Sequence, residues 1–227
     1  MECGAADDPA LRSADQQSRL DAYIAQHCDH VQQACGSVAG HTTGIVTYYY
    51  CIDPKLTVEE HGFFLSKMGK VGFEWREELD ARELDPNDRE HTTWYYTPIE
   101  RGVPSWVGPY RAHFLGEVWC VSYLTPIYKS GILIGVLGMD ILFDTMVEQI
   151  KTLDVYDTGY AFLLDEEGHV LYHPTQKMGE QPAYLGELTD SGFFRRKSSD
   201  EEVIRYRMDG EEWQLSFCTL VNGMKLV

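Results

Sequence analysis

Apolar and polar positions alternate with two different periods along this chain. Between residues 10 and 35, Leu20, Ile24, Cys28, Val31 and Cys35 fall on one stripe at helical spacing, with Asp, Gln and Arg on the other faces. That pattern predicts a helix, and Gly36 supplies its stop. Gly44 to Ile52 is β-branched and aromatic, a strand closed by Asp53-Pro54, and Phe63 to Ser66 reads as a second, shorter strand. Residues 74–93 are charged and helical in flavour, broken at Pro86, and a Trp/Tyr-rich stretch follows with a turn over Ile99–Pro104. Val118–Tyr128 and Ile132–Ile141 predict a hairpin across Lys129-Ser130-Gly131. Phe143–Leu153 predicts an amphipathic helix with Met146, Ile150 and Leu153 on one side.

The remainder repeats this plan on a smaller scale. Tyr160–Leu164 and His169–His173 flank a Glu166-Glu167-Gly168 turn, and residues 182–198 carry a helical or irregular connection. Ile204, Tyr206 and Met208 alternate with arginines up to Asp209-Gly210, a strong hairpin turn. Trp213, Leu215 and Phe217 alternate back, and Asn222-Gly223 opens another strand. The expected architecture is α+β: a long N-terminal helix, then two PAS-like modules, each an antiparallel sheet flanked by helices. The boundaries fall at 1–36 for the helix, 37–142 for the first module, 143–158 for a connecting helix and 159–227 for the second module.

Composition narrows the partners more than the fold. At 227 residues with 44% hydrophobic and 24% charged content, the chain can bury one large core or two modest ones. A net charge of −17 argues against nucleic acid or an anionic membrane surface. No apolar run reaches the ~18 residues that span a bilayer, and Met1-Glu2-Cys3 does not open a secretory signal. The strand begun at Gly223–Val227 stops without a closing turn, as an excised ectodomain would. The 6 cysteines show no CxxC pair. Cys28 and Cys35 lie about 10 Å apart by helical rise, too far for a disulfide, whereas Cys51 and Cys120 could meet if their strands are neighbours.

Catalytic motifs are missing: no G-x-S-x-G, H-E-x-x-H or G-x-x-x-x-G-K-[ST] occurs. Gly131, Gly135 and Gly138 lie within a predicted strand rather than at a strand-to-helix turn, so they do not form a dinucleotide loop. His27, Cys28, His30 and Cys35 do not converge as zinc ligands must, and core packing explains them better. His169 and His173 alternate beside Asp165 with no third ligand at suitable spacing, so no metal and no cofactor are expected. What remains is the stretch from Trp94 to Asp140, where Trp94, Tyr95, Trp106, Tyr110 and Tyr123 precede one acid at the end of an apolar run. Such residues suit either a small-molecule pocket or a wet aromatic core. Asp140 is then exposed at the strand end, capping the next helix, paired with Arg111, or held against a ligand ammonium with the aromatics adding cation–π attraction. Two other classes of function compete with small-molecule binding: a ligand-free structural or protein-interaction module, and a small hydrolase using Asp140 or the His169/His173 pair.

In order and spacing, Trp94-Tyr95, Trp106-x-x-Pro109-Tyr110, Ser122-Tyr123-x-x-Pro126-Ile127-Tyr128 and Gly135-Val136-Leu137-Gly138-Met139-Asp140-Ile141 resemble the membrane-distal module of the double Cache family of bacterial extracytoplasmic sensors. Gly159-Tyr160-Ala161-Phe162-Leu163-Leu164-Asp165 with Leu171-Tyr172-His173-Pro174 is similar to the membrane-proximal one. The resemblance implies that this chain is a sensing portion and not itself an enzyme, within a receptor that has membrane spans outside both ends and a histidine kinase, diguanylate cyclase or chemoreceptor output. It also implies a possible homodimer through the first helix. Asp140 would hold a ligand amine, with Trp94, Tyr95 and Tyr110 lining the pocket. Where the family places a carboxylate-binding arginine this chain has Thr92, and Arg89 would match only across an insertion. The family's second acid is Ala112 here. The amine half of an amino-acid site is therefore retained while its carboxylate clamp is not matched, so the favoured ligand is a small polar metabolite that is cationic or a multi-point hydrogen-bond donor, an amine before a full α-amino acid. The second module lacks the Trp-Tyr and terminal-acid pattern and is expected to be empty.

Overall fold

The structure is a computed structural model that describes residues 9–57, 61–77, 80–186, 203–208 and 210–227, with side chains from residue 14 onward except that of residue 208. Two compact units divide between Leu142 and Phe143.

In the first unit, helix α1 (Pro9–His41) is followed by β1 (Ile45–Ile52), β2 (Gly62–Ser66), β3 (Glu74–Trp75), α2 (Arg89–Arg101), β4 (Ser105–Ala112), β5 (Val118–Lys129) and β6 (Ile132–Leu142). The strands make one antiparallel 6-stranded sheet in the order β3-β2-β1-β6-β5-β4. β5 and β6 turn on Ser130 and Gly131, both at positive φ (53° and 79°), as a tight right-twisting hairpin requires.

The sheet buries a different core on each face. On one, α1 packs Ile24, Cys28, Cys35 and Ala39 against Ile45, Tyr48, Tyr50, Ile52, Phe63 and Leu65. On the other, α2 lies across β4–β6 and closes Trp94 and Tyr95 over Tyr49, Cys51, Tyr110, Cys120, Leu124 and Val136. A register shift between Ile45 and Thr47 lets β1 serve both: Ile45 faces α1 while Thr47, two residues on, sits opposite Asp140 on the other side.

Three sequence expectations change here. α1 does not stop at Gly36 but continues to His41. A Cβ on Gly36 would stand 3.0 Å from the Tyr48 hydroxyl, so this glycine lets the helix approach the sheet and does not end it. The turn expected over Ile99–Pro104 is shorter, because the Trp-Tyr stretch lies within α2. Asp88 caps α2 by accepting from the His91 N–H, and Gly102 ends it in the left-handed region, so Pro98 lies inside the helix and the turn expected over Ile99–Pro104 begins only after Arg101. Cys51 and Cys120 do not meet. β1 and β5 flank β6 rather than each other, and these cysteines register with Val136 and Leu142, about 20 Å apart along the strand. Both are buried thiols outside any disulfide.

In the second unit, α3 (Phe143–Lys151) precedes β7 (Leu163–Leu164) and β8 (Val170–Tyr172), β9 (Ile204–Met208) and β10 (Glu211–Leu215), then β11 (Cys218–Thr219) and β12 (Lys225–Leu226). β11-β12-β7-β8 form one sheet and the β9–β10 hairpin a second. Their shared core holds Phe162, Leu164, Val170, Leu185 and Leu215. Of the connection expected over 182–198, Ala183–Leu185 is a short 3-10 turn, and the part from 187 lies outside the described residues, as does Asp209. Among the described residues no helix is long and apolar enough to cross a membrane.

Candidate functional site

Asp140 lies mid-sheet. It registers with Thr47 on one side and Ser122 on the other, so β1, β6 and β5 put three polar side chains in a row on the α2 face. Its exposure is 0%, and Thr47 and Ser122 match it. The Ser122 hydroxyl donates to Asp140 Oδ1 at 2.6 Å, Tyr49 donates to the same oxygen at 3.4 Å, and the Thr47 hydroxyl donates to Oδ2. Since Ser122 spends its proton on Asp140, the 2.9 Å bond between Ser122 and Tyr110 runs from the tyrosine to the serine. The result is a directed relay, Tyr110 to Ser122 to Asp140.

Neither an exposed strand end, a helix cap nor a pairing with Arg111 describes this acid. Arg111 points instead over the Trp119 ring, 5.6 Å from its centre. Burial pushes the Asp140 carboxyl up to about 6, against the pull of the Ser122, Thr47 and Tyr49 hydroxyls. Burial, and then the neighbouring carboxylate, holds the Tyr49 and Tyr110 phenols well above their ordinary range and raises the Cys120 thiol to about 12. Every neighbour that titrates is thus neutral at pH 7. A buried carboxylate surrounded by dipoles but no counter-charge is costly, and it attracts a positive group.

Aromatic rings pack against the Tyr49 ring, whose hydroxyl reaches this carboxylate. Tyr49 stands edge-on to Trp94 with ring centres 5.4 Å apart, Trp94 meets Tyr95 at 5.6 Å, and Phe114 packs on Tyr49 and Trp94 at 6.0 and 5.9 Å. Tyr49 owes its position to Gly138: a Cβ there would stand 2.3 Å from the tyrosine ring. The structure therefore brings Trp94, Tyr95, Tyr110 and Asp140 together on one sheet face. It does not bring Trp106 and Tyr123 there. Strand alternation turns Tyr123 away from Ser122, and it is 42% exposed with Trp106 beside it, ring centres 5.1 Å apart. A register shift between Val107 and Tyr110 returns Tyr110 to the Asp140 face.

The two residues considered for a ligand carboxylate are otherwise engaged. Thr92 donates its hydroxyl to the Asp88 carbonyl at 2.7 Å, within α2, and Arg89 is ion-paired with Glu100 at the surface. Sequence reasoning missed Thr47, Tyr49 and Phe114, and quoted Ser122 only as part of a motif. The Thr47-Tyr48-Tyr49-Tyr50 run was the available signal, because alternation within it sends Thr47 and Tyr49 to one face.

The second unit arranges its polar groups differently. His173 Nδ1 accepts from the Thr175 and Gln176 N–H groups at 3.1 and 3.2 Å, which leaves Nε2–H to donate to the Tyr184 hydroxyl at 3.0 Å. Burial lowers the His173 basicity. Asp165, Glu167 and His169 bring possible metal-ligand atoms within 4.8 Å of one another, so Glu167 is the third group that spacing alone did not reveal. Asp165 uses Oδ1 to accept the Glu167 and His169 N–H groups of the β7–β8 turn, at 2.9 and 2.8 Å. This is the hydrogen bonding of a tight turn.

Known proteins share this fold and parts of the sequence. Methyl-accepting chemotaxis protein McpA of Pseudomonas putida is 31% identical over 116 residues, 50% of this chain and 18% of its own length. The ligand-binding domain of PctB, an amino acid chemoreceptor of Pseudomonas aeruginosa solved in complex with L-Arg, matches with a TM-score of 0.53 at 20% identity. It covers 92% of this chain and 82% of its own. The extracellular domain of mmHK1S-Z3, assigned as a histidine kinase, matches with a TM-score of 0.64 at 19% identity, covering 95% of this chain and 88% of its own. The chain spans less than a quarter of the curated relatives' length, at 18%, 19% and 22%. A Cache domain model (dCache_1) matches residues 8–227, and the chain therefore belongs to that Cache domain family of non-enzymatic, ligand-binding sensory modules.

Proposed function

We propose that this chain is the extracytoplasmic sensing part of a transmembrane receptor and that its first unit binds a small amine-bearing ligand. Residues 37–142 form the ligand-binding module, and residues 159–227 relay its rearrangement toward a membrane whose spans flank the domain, with α1 as the contact between two copies. The observation that carries this reading is the Asp140 carboxylate, fully buried and bonded, among the described residues, to hydroxyls alone, one of them that of Tyr49, against whose ring Trp94 and Phe114 pack. An ammonium supplies the missing counter-charge, and the aromatic faces add cation–π attraction of about 0.5–2 kcal/mol. Thr92 and Arg89, spent on the backbone and on Glu100, favour an amine over a full α-amino acid. The hydrolase considered from the sequence is set aside by the family. Binding acts by biasing two arrangements of the domain, each with its own affinity for the ligand.

The test is a thermal-shift screen of the purified chain against amines, amino acids, nucleobases and small carboxylates. A ligand at a hundred times its dissociation constant adds ~2.7 kcal/mol of stability. Stabilisation by an amine that vanishes in Asp140→Asn supports the reading. Stabilisation by carboxylates alone, or by amines equally in the variant, removes Asp140 from the role. No shift from any compound favours the ligand-free interaction module.

A further inference from the structure

Among the described residues, the elements packed around Asp140 offer it no positive charge. β1 presents Thr47 and Tyr49, β5 presents Ser122 and Cys120, β4 presents Tyr110, and α2 adds Trp94, packed on the Tyr49 ring. The titratable members are Tyr49, Tyr110 and Cys120, all acids held in their neutral form. Among the described residues no ion pair includes Asp140, and no cation contributes to its electrostatics. Hydroxyl donors soften the cost of a buried negative charge but do not cancel it.

Two species can cancel that charge, a proton and a ligand cation, and both need the same oxygens. A carboxylate offers about four lone-pair positions. The hydroxyls of Ser122, Tyr49 and Thr47 already point at three of them. We infer that Asp140 is a proton-binding site as well as the ligand's anchor, so that a cation entering the module must expel the proton that mild acid places there. The exchange balances simply: the protonated carboxyl and an alkylammonium become a carboxylate–ammonium pair and one proton released to solvent. The first unit then reads acidity and amine as opposing inputs at a single oxygen pair. The cation half rests on the amine reading above, while the proton half rests only on this chain's own groups.

Titrating the ligand-free domain with carboxyl-13C aspartate from about pH 4 to 8 tests the proton half. The Asp140 resonance is identified by its loss in Asp140→Asn, or, should that variant not fold, by the signal that moves in Ser122→Ala. The expected midpoint lies near 6 and rises in Ser122→Ala, which removes a donor to the charged form. A midpoint near the ordinary aspartate value of about 4 overturns the inference. The cation half is tested with ethylammonium chloride against sodium chloride of equal strength, from about pH 5 to 8. Its dissociation constant should rise about tenfold per pH unit below the midpoint, with one proton released on binding at the acid end. A dissociation constant that ignores pH overturns the exchange. If no amine binds even at the alkaline end, the amine reading falls, and the carboxyl titration alone decides whether Asp140 takes up the proton.

Discussion

The two units bury polar groups among aromatic rings in opposite ways. Around His173 every nitrogen has a partner of the right kind: two backbone N–H groups donate to Nδ1, and the Tyr184 hydroxyl accepts from Nε2–H. Lys225, also buried, donates to Thr219 Oγ1 at 2.9 Å and has the Glu166 carboxylate as an opposite charge. Around Asp140 the hydrogen bonds are also made, but the charge is not matched. One cluster is complete in itself and serves as core. The other has its hydrogen bonds made but, among the described residues, no positive charge beside its acid. Counting hydrogen bonds does not separate them; counting charge does.

The contrast can be broken first at its largest contact. Trp94→Ala removes a fully buried indole from the first unit and should cost about 3–5 kcal/mol in denaturant unfolding. A loss under about 1 kcal/mol would mean that the aromatic cluster is not packed as described.

Acid should move the two units in opposite directions. The carboxyl of Asp140 is raised in the fold, so its neutral form is favoured. Its contribution to stability is fully present below about 3.9, the unfolded value, and is lost as pH rises through about 6. At one pKa unit per 1.36 kcal/mol the swing is roughly 3 kcal/mol at most. His173 is lowered instead, so its contribution is present at neutral pH and is lost as pH falls below the ordinary histidine value near 6.5. Amide exchange of β6 and of β8, corrected for intrinsic rates at pH 5 and 7, should show acid protecting the first and loosening the second. Asp140→Asn should flatten the first trend and His173→Gln the second; trends of the same sign would dissolve the comparison.

Tyr184→Phe strands the His173 Nε2–H, a loss of about 1–2 kcal/mol in the second unit that should leave amine stabilisation untouched. The smallest effect belongs to the outward pair. Tyr123→Ala should change ligand-induced melting shifts negligibly and stability by under about 1 kcal/mol, because that side chain is 42% exposed and faces away from Asp140. A lost ligand response in this variant would place the site on the wrong sheet face.

How far the chain could be read follows from what each signal depends on. β1, the β5–β6 hairpin, α1 and α3 announce themselves because their apolar spacing and turn residues are local properties. α2 does not. Pro86 reads as a breaker of the charged stretch, while the Asp88 cap and the Trp94, Tyr95, Pro98, Ile99 stripe that favour a helix are separated by ordinary residues. Gly36 reads as a stop because the space above a helix is invisible until Tyr48 fills it. For the site, residue types were legible and facing was not. Trp106 and Tyr110 lie on one strand, yet the register shift between them puts only Tyr110 beside Ser122. Asp140 was visible as an acid in an apolar strand. That its partners would be hydroxyls from β1 and β5 depends on strand order, which no local pattern encodes.

Gly138 shows what that dependence means for how such a domain changes over generations. The Tyr49 ring rests where a methyl group on β6 would be, so the floor of the site is shaped by an atom that is missing. In a saturation-mutagenesis map scored by signalling output, Gly138 should be as intolerant as Asp140 itself, although it offers a ligand nothing to bind. Selection for new ligands would therefore work on the rings packed against Tyr49, such as Trp94 and Phe114, and leave this floor alone.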